Sequence, residues 1–197
     1  MIAGGHATRY SGIPKGLLEV GGRRILDRVA DTIAEAVGSL PALCANAPDA
    51  GSWRPGLAVH PDVVPDIGAL GGILTAVETG APVVCVAWDM PFVPAALVRA
   101  LAEGLADADV VIPESGSRSG LEPLCAAYGP ACGPAIRSAL AQGDRRAIGF
   151  HQLVRVARLP AATVLNYGDP GVLFFNVNSP QDLQQAEALC RARDSSR

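Results

Sequence analysis

The segment AGGHATRYSGIPK, residues 3 to 15, gathers residue types that suit an anion. Gly4 and Gly5 lack Cβ, so their backbone N–H groups can approach a phosphate closely and can adopt positive φ. Arg9 and Lys15 would add positive charge to the same loop. Of the sixteen basic residues, fifteen are arginines and one, Lys15, is a lysine. A compact ammonium suits a role in reaching phosphate, although a solvated loop is also an ordinary place for a lysine. The two standard phosphate motifs do not fit. SGIPKG is not GxxxxGK[ST], and GGHATRYSG is not GxGxxG.

A second candidate is Asp89, in WDMPF, a carboxylate leaving a buried apolar run. Such a group can hold Mg²⁺ together with phosphate oxygens and water. It can equally cap the turn that follows through backbone N–H groups. Asn176 and Asn178, after VLFF, are polar residues at another strand end.

These residues need a scaffold that brings them together. LLEVGG reads as a short strand and turn, and RRILDRVADTIAEAV as a helix with Ile25, Val29, Ile33 and Val37 on one face. PALCAN and GLAVHP are predicted strands, and GILTAVETG is a helix closed by Gly80. VVCVAW, residues 83 to 88, is apolar without alternation, as in a parallel strand covered on both faces. A helix from Pro94 to Ala106 follows, then strand ADVVIP, the polar loop ESGSRSG, strand EPLCAAY and helical stretches over 131–153. Strands at VARLP and VLFFNVN lead to a last helix opened by Ser179, Pro180 and Asp182, with Asp182 a capping residue. The alternation implies an α/β fold, a three-layer Rossmann-like sandwich around a mostly parallel mixed sheet. Ligands of such folds bind beyond the carboxyl ends of the strands, where the glycine loop, Asp89, Asn176 and Asn178 all fall.

The 197 residues suit one domain, and 49% hydrophobic content with mean hydropathy +0.27 suits a globular chain. No apolar run approaches a membrane span, and the N-terminus lacks the pattern of a signal peptide, so a cytoplasmic location is expected. A net charge of −3 disfavours nucleic acid. Five widely spaced cysteines without a CxxC pair read as buried free thiols in a reducing compartment. His6, His60 and His151 read as surface or loop residues, Trp88 as core packing and ESGSRSG with Arg118 as a connection. Arg145 and Arg146 read equally well as a solvated face or an acceptor contact.

IAGGHATRYSGIPKGLLEVGG, GALGGI, WDMPF, EPLCAAY, GDRR and FFNVNSPQDL together resemble the molybdenum cofactor guanylyltransferases, in order and approximate spacing. The resemblance covers nearly the whole chain. It implies a single domain of nucleotide-diphospho-sugar transferase type over residues 1–197, Mg²⁺ dependence, and transfer of GMP from GTP to the terminal phosphate of molybdopterin. Pyrophosphate is released and molybdopterin guanine dinucleotide is formed. Partners implied are the two substrates, with molybdoenzymes or cofactor-insertion proteins receiving the product.

The residues that match the family's motifs are Ile2, Ala3, Gly4 and Gly5 for base and phosphate loop, Lys15 for phosphate, and Asn46 and Asp62 for the nucleoside. Gly68 matches the glycine of a turn, and Asp89 matches the Mg²⁺ ligand. Asn176 and Asn178 match asparagines near the reacting phosphates. The residue reading makes Lys15, Asp89 and Arg9 the catalytic set. The acceptor is a phosphate monoester already ionised at neutral pH, with a second pKa of about 6, so no base is needed. Cations must relieve the repulsion between anions and the charge on the leaving group.

Two departures stand out. RYSG replaces the family's usual RMG, and only Met1, Ile2 and Ala3 precede the glycines where relatives carry a longer first strand, so the strand is expected to start upstream. Alternative readings are a cytidylyltransferase of the same cofactor, whose relatives show AAG in place of AGG, another nucleotidyltransferase of the fold, and a catalytically silent nucleotide- or partner-binding paralogue.

Overall fold

The structure, a computed structural model, describes residues 1–3 and 13–194. A 3-10 turn at Lys15–Leu17 leads into a hairpin of β1 (Glu19–Val20) and β2 (Arg23–Arg24), followed by α1 (Ile25–Val37). Then come β3 (Leu43–Cys44), β4 (Val59–His60), α2 (Ala69–Val77), β5 (Val83–Val86) and α3 (Ala95–Glu103). The second half holds β6 (Val110–Pro113), β7 (Cys125–Tyr128), α4 (Cys132–Ala141) and β8 (Val156–Leu159). Short helices α5 (Ala161–Val164) and α6 (Pro170–Leu173) precede the final helix, α7 (Pro180–Asp194).

Ile2 joins the two halves of the sheet. It bridges Cys44 on one side and Ala87 on the other, both in parallel. The Ile2 N–H donates to Val86 O at 2.9 Å, the Trp88 N–H to Ile2 O at 3.1 Å, and the Ala3 N–H to Cys44 O at 2.9 Å. With β3 parallel to β4 and β6 parallel to β8, only β7 runs against its neighbours β5 and β6. This is the mostly parallel mixed sheet that the alternation of elements implies. Its strand order is β4, β3, Ile2, β5, β7, β6, β8.

A cavity of about 340 Å³ is lined by Met1, Ala42, Val83 and Val84 among others. Val83 and Val84 are therefore only half-buried, whereas the unbroken apolar run predicts burial throughout; Cys85 and Val86 meet that expectation.

Helices cover both faces. α1 packs on α3 on one side, and α2 on α4 on the other. Ile25, Val29 and Ile33 enter the core as the four-residue spacing predicts, but Val37 is exposed because α1 ends there at left-handed Gly38. The five cysteines are free and buried, as expected.

Three local expectations change. Arg23 and Arg24 pair with β1 rather than beginning the helix. The VLFF stretch is not a strand: Asp169 accepts a hydrogen bond from the Gly171 N–H at 2.8 Å, and Pro170 sits at the first helical position, so α6 forms instead. His151 lies in a 3-10 turn between α4 and β8, where it is half-buried rather than on the open surface. Its Nε2 is buried without a partner among the described residues, its ring meets Phe150 edge-on, and burial pulls its pKa down to about 4.

Candidate active site

The parallel strands all end at one edge of the sheet. Asn46 lies two residues beyond β3, Asp62 two beyond β4 and Asp89 three beyond β5. Lys15 and Asn178 are 163 residues apart in the chain, yet Lys15 Nζ donates to Asn178 Oδ1 at 2.7 Å. Asn178 is placed by the start of α7. Asp182 Oδ2 accepts from the Asn178 N–H at 2.9 Å and the Ser179 N–H at 2.8 Å, and Ser179 Oγ accepts from the Asp182 N–H at 3.2 Å. This reciprocal cap is the role predicted for Asp182. The adjacent Val177 N–H donates to Asp89 O at 3.0 Å, which fastens the same loop to the end of β5.

Asp89 is half-buried. Burial pushes its carboxyl above the usual range, and the nearby charge of Lys15 pulls it back. Lys15, Asp89 and Asn178 thus form one constellation, assembled from the first loop, the middle strand and the last helix.

A second group stands beside β3 and β4. Asn46 Nδ2 donates to Asp62 Oδ2 at 2.9 Å, and the Asp62 N–H donates to Asn46 Oδ1 at 2.7 Å. The other carboxylate oxygen, Asp62 Oδ1, is buried without a partner among the described residues. A buried acceptor without a donor costs free energy, so this oxygen calls for a hydrogen-bond partner. Below it, Gly68 opens α2 with φ +64°, a conformation that strains residues carrying a Cβ. Gly71 gives Asp62 room, since a Cβ there would lie 3.1 Å from Asp62 Oδ2.

Other predicted residues stand apart. Ile2 and Ala3 are buried in the sheet and aim the chain at the site. Asn176 turns back on its own loop, with Nδ2 donating to Phe174 O at 2.9 Å. Gly4, Gly5, His6 and Arg9 lie outside the described residues. Arg146 is exposed and paired with Asp144 at 2.6 Å, and Arg145 is exposed. In the loop carrying Arg118, Ser117 and Ser119 both donate to Leu121 O, at 2.7 and 2.9 Å, which fits a simple connection.

Glu122 was not among the predicted residues. It precedes β7, and because β7 is antiparallel its beginning lies at the edge where the parallel strands end. Burial and the neighbouring charge of Asp89 push the Glu122 carboxyl up to about 7, partly offset by the Leu124 N–H. Its only sequence signal is the glutamate heading EPLCAAY, which acquires meaning once the strand direction is known.

Among the described residues no group of three or more histidine, cysteine or acidic side chains could hold a metal ion alone. Asp89, with Glu122 nearby, instead offers the sparse carboxylate oxygens that magnesium takes when phosphates and water complete its shell.

The family model described as the MobA-like NTP transferase domain matches residues 1–156. The chain belongs to that family. This MobA-like transferase is 35% identical over 191 residues to the probable molybdenum cofactor guanylyltransferase of Pelotomaculum thermopropionicum, covering 96% of this chain and 91% of the relative. It is 31% identical over 196 residues to the molybdenum cofactor guanylyltransferase of Desulfosudis oleivorans, covering 98% and 95% of the two chains. Among solved structures, molybdopterin-guanine dinucleotide biosynthesis protein A from Archaeoglobus fulgidus superposes with a TM-score of 0.79 at 24% identity, covering 97% of each chain. At that identity the superposition speaks for the fold alone. No helix among the described residues is long and apolar enough to cross a membrane.

Proposed function

We propose that this chain transfers GMP from GTP to the terminal phosphate of molybdopterin, forming molybdopterin guanine dinucleotide and releasing pyrophosphate. The relatives' names supply the substrates. The structural observation that carries the reading is the Lys15–Asn178 hydrogen bond beside Asp89, which joins a cation to the strand edge where nucleotides bind in this fold class.

The chemistry asks little of the protein beyond placement and charge. The acceptor's phosphate oxygen attacks the α-phosphorus of GTP, a new P–O bond forms, and the bond to the bridging oxygen of the β-phosphate breaks. Negative charge accumulates on the pyrophosphate, and the Lys15 ammonium stabilises it from a preorganised position. Asn178 holds that ammonium in place through its side-chain oxygen. Asp62, fixed by Asn46, accepts a hydrogen bond from the nucleoside in this reading. Asp89 would hold Mg²⁺ together with the triphosphate oxygens, and the ion would supply further neutralisation of phosphate charge. Gly4, Gly5 and Arg9 complete the phosphate loop in this reading.

The test is pyrophosphate release in the presence of molybdopterin and Mg²⁺, with GTP compared against CTP and ATP. Release with GTP alone is expected. Preference for CTP would assign the chain to the cytidylyl branch, and absence of release with every nucleotide would overturn the reading.

A further inference from the structure

Gly16 stands directly after Lys15, inside the 3-10 turn, and is buried. A Cβ built there would come within 3 Å of three atoms of the Trp88 indole. Trp88 is the residue before Asp89 and is 4% exposed. The indole has no room to withdraw. It stacks on Trp53 with ring centroids 4.8 Å apart and an interplanar angle of 21°. Trp53 is 4% exposed and tethered at both ends: its Nε1–H donates to Asp49 Oδ2 at 3.1 Å, and its backbone oxygen accepts from Arg24 Nη1 at 2.9 Å. The Trp88 backbone is equally fixed, with its N–H on Ile2 O at 3.1 Å.

We infer that Gly16 and Trp88 are a matched small–large pair, and that the Trp88–Trp53 stack is the wall against which the Lys15 turn is seated. Gly16 and Trp88 are therefore positioning residues. They act through Lys15, whose ammonium reaches Asn178 only while the backbone of residue 16 lies against the indole. A side chain at position 16 must push the turn away, because the wall is the stiffer partner. Displacement of a phosphate-binding group by about 1 Å can lower a rate on the order of 10²-fold. The inference rests on the reading of Lys15 as a phosphate contact.

The experiment compares wild type, G16A, W88A and the double variant G16A/W88A, with K15A as reference. For each, kcat, KM for GTP, KM for molybdopterin and thermal midpoint are measured. G16A is expected to raise KM for GTP about tenfold or more while leaving KM for molybdopterin unchanged. A merely structural loss would lower the thermal midpoint and the fraction of active enzyme and leave KM for GTP at the wild-type value. Adding W88A to G16A clears the space above residue 16, so the double variant is expected to recover most of the GTP affinity that G16A loses.

A G16A enzyme with wild-type KM for GTP would overturn the inference. So would a double variant no better than G16A, whether it fails in folding or in binding. Failure of the underlying reading is distinguishable. If K15A turns over normally, Lys15 has no phosphate role, yet the Gly16–Trp88 pairing still shows as a thermal midpoint of the double variant above that of G16A. If K15A is crippled and G16A is not, only the positioning inference fails.

Discussion

Lys15 is held by a neutral side chain, Asn178, whereas arginines such as Arg146 and Arg155 are paired with carboxylates. Its ammonium is directed by Asn178 and lies within the field of Asp89. K15A removes the ammonium that the proposed mechanism sets against the leaving pyrophosphate. The expected result is a fall in kcat/KM for GTP-dependent pyrophosphate release of about 10²–10³-fold, the loss typical of removing one preorganised charge-stabilising group, with the fold intact by circular dichroism. Unchanged turnover would remove Lys15 from the mechanism. Much of this was legible in the sequence. One lysine among fifteen arginines, ten residues after paired glycines, marks itself, as does an aspartate at the end of an unbroken apolar run. The hydrogen bond to Asn178 was not legible, because nothing local links positions 163 residues apart. Nor was the Asn46–Asp62 pair, because its two residues follow different strands and are 16 positions apart.

The start of α7 serves the site as an element. Asp182 gathers two N–H groups, those of Asn178 and Ser179, and so sets where the Asn178 side chain begins. D182A should cost about 1 kcal/mol of stability, the usual price of a lost cap, which for a chain of this length lowers the thermal midpoint by roughly 2–4 °C. A calorimetric scan checks this, and an unaltered midpoint would mean the cap carries no weight. SPQD announced that helix plainly, since serine, proline and an acid at these offsets are a start signal with a mechanism. VLFF misled for the converse reason. Its apolar side chains fit a strand, but the Asp169–Pro170 pair just before them opens a helix, and capping chemistry outweighed composition over so short a stretch.

At the scale of the whole molecule, the reversed direction of β7 decides what faces the site. It delivers Glu122 to the edge shared by Asp89, and two carboxyls in a partly buried region resist ionising together. Since burial pushes the Glu122 carboxyl up to about 7 from its ordinary value of about 4.5, the fold prefers its protonated form. The contribution to stability is full below about pH 4.5 and is lost as pH rises toward 7. E122Q keeps the hydrogen-bonding shape without the charge. The stability gained by E122Q over wild type should therefore grow between pH 4.5 and 7 and level off above, reaching on the order of 1–3 kcal/mol; parallel profiles in urea titrations would show that Glu122 is not desolvated. The layers and the mostly parallel sheet could be read from alternating elements, but strand direction could not. A run such as EPLCAAY carries no mark of which way it lies, because the long-range pairing of β7 with β5 and β6 sets that.

The most direct measurement is the mass of the product formed from molybdopterin and GTP by the wild-type enzyme with Mg²⁺, followed with D89N. Wild type should yield molybdopterin extended by one GMP unit with one pyrophosphate released per product, and D89N should yield almost none. A wild-type enzyme that binds GTP but leaves the pterin mass unchanged, or a D89N enzyme that forms the dinucleotide at the wild-type rate, would contradict guanylyl transfer at this strand edge.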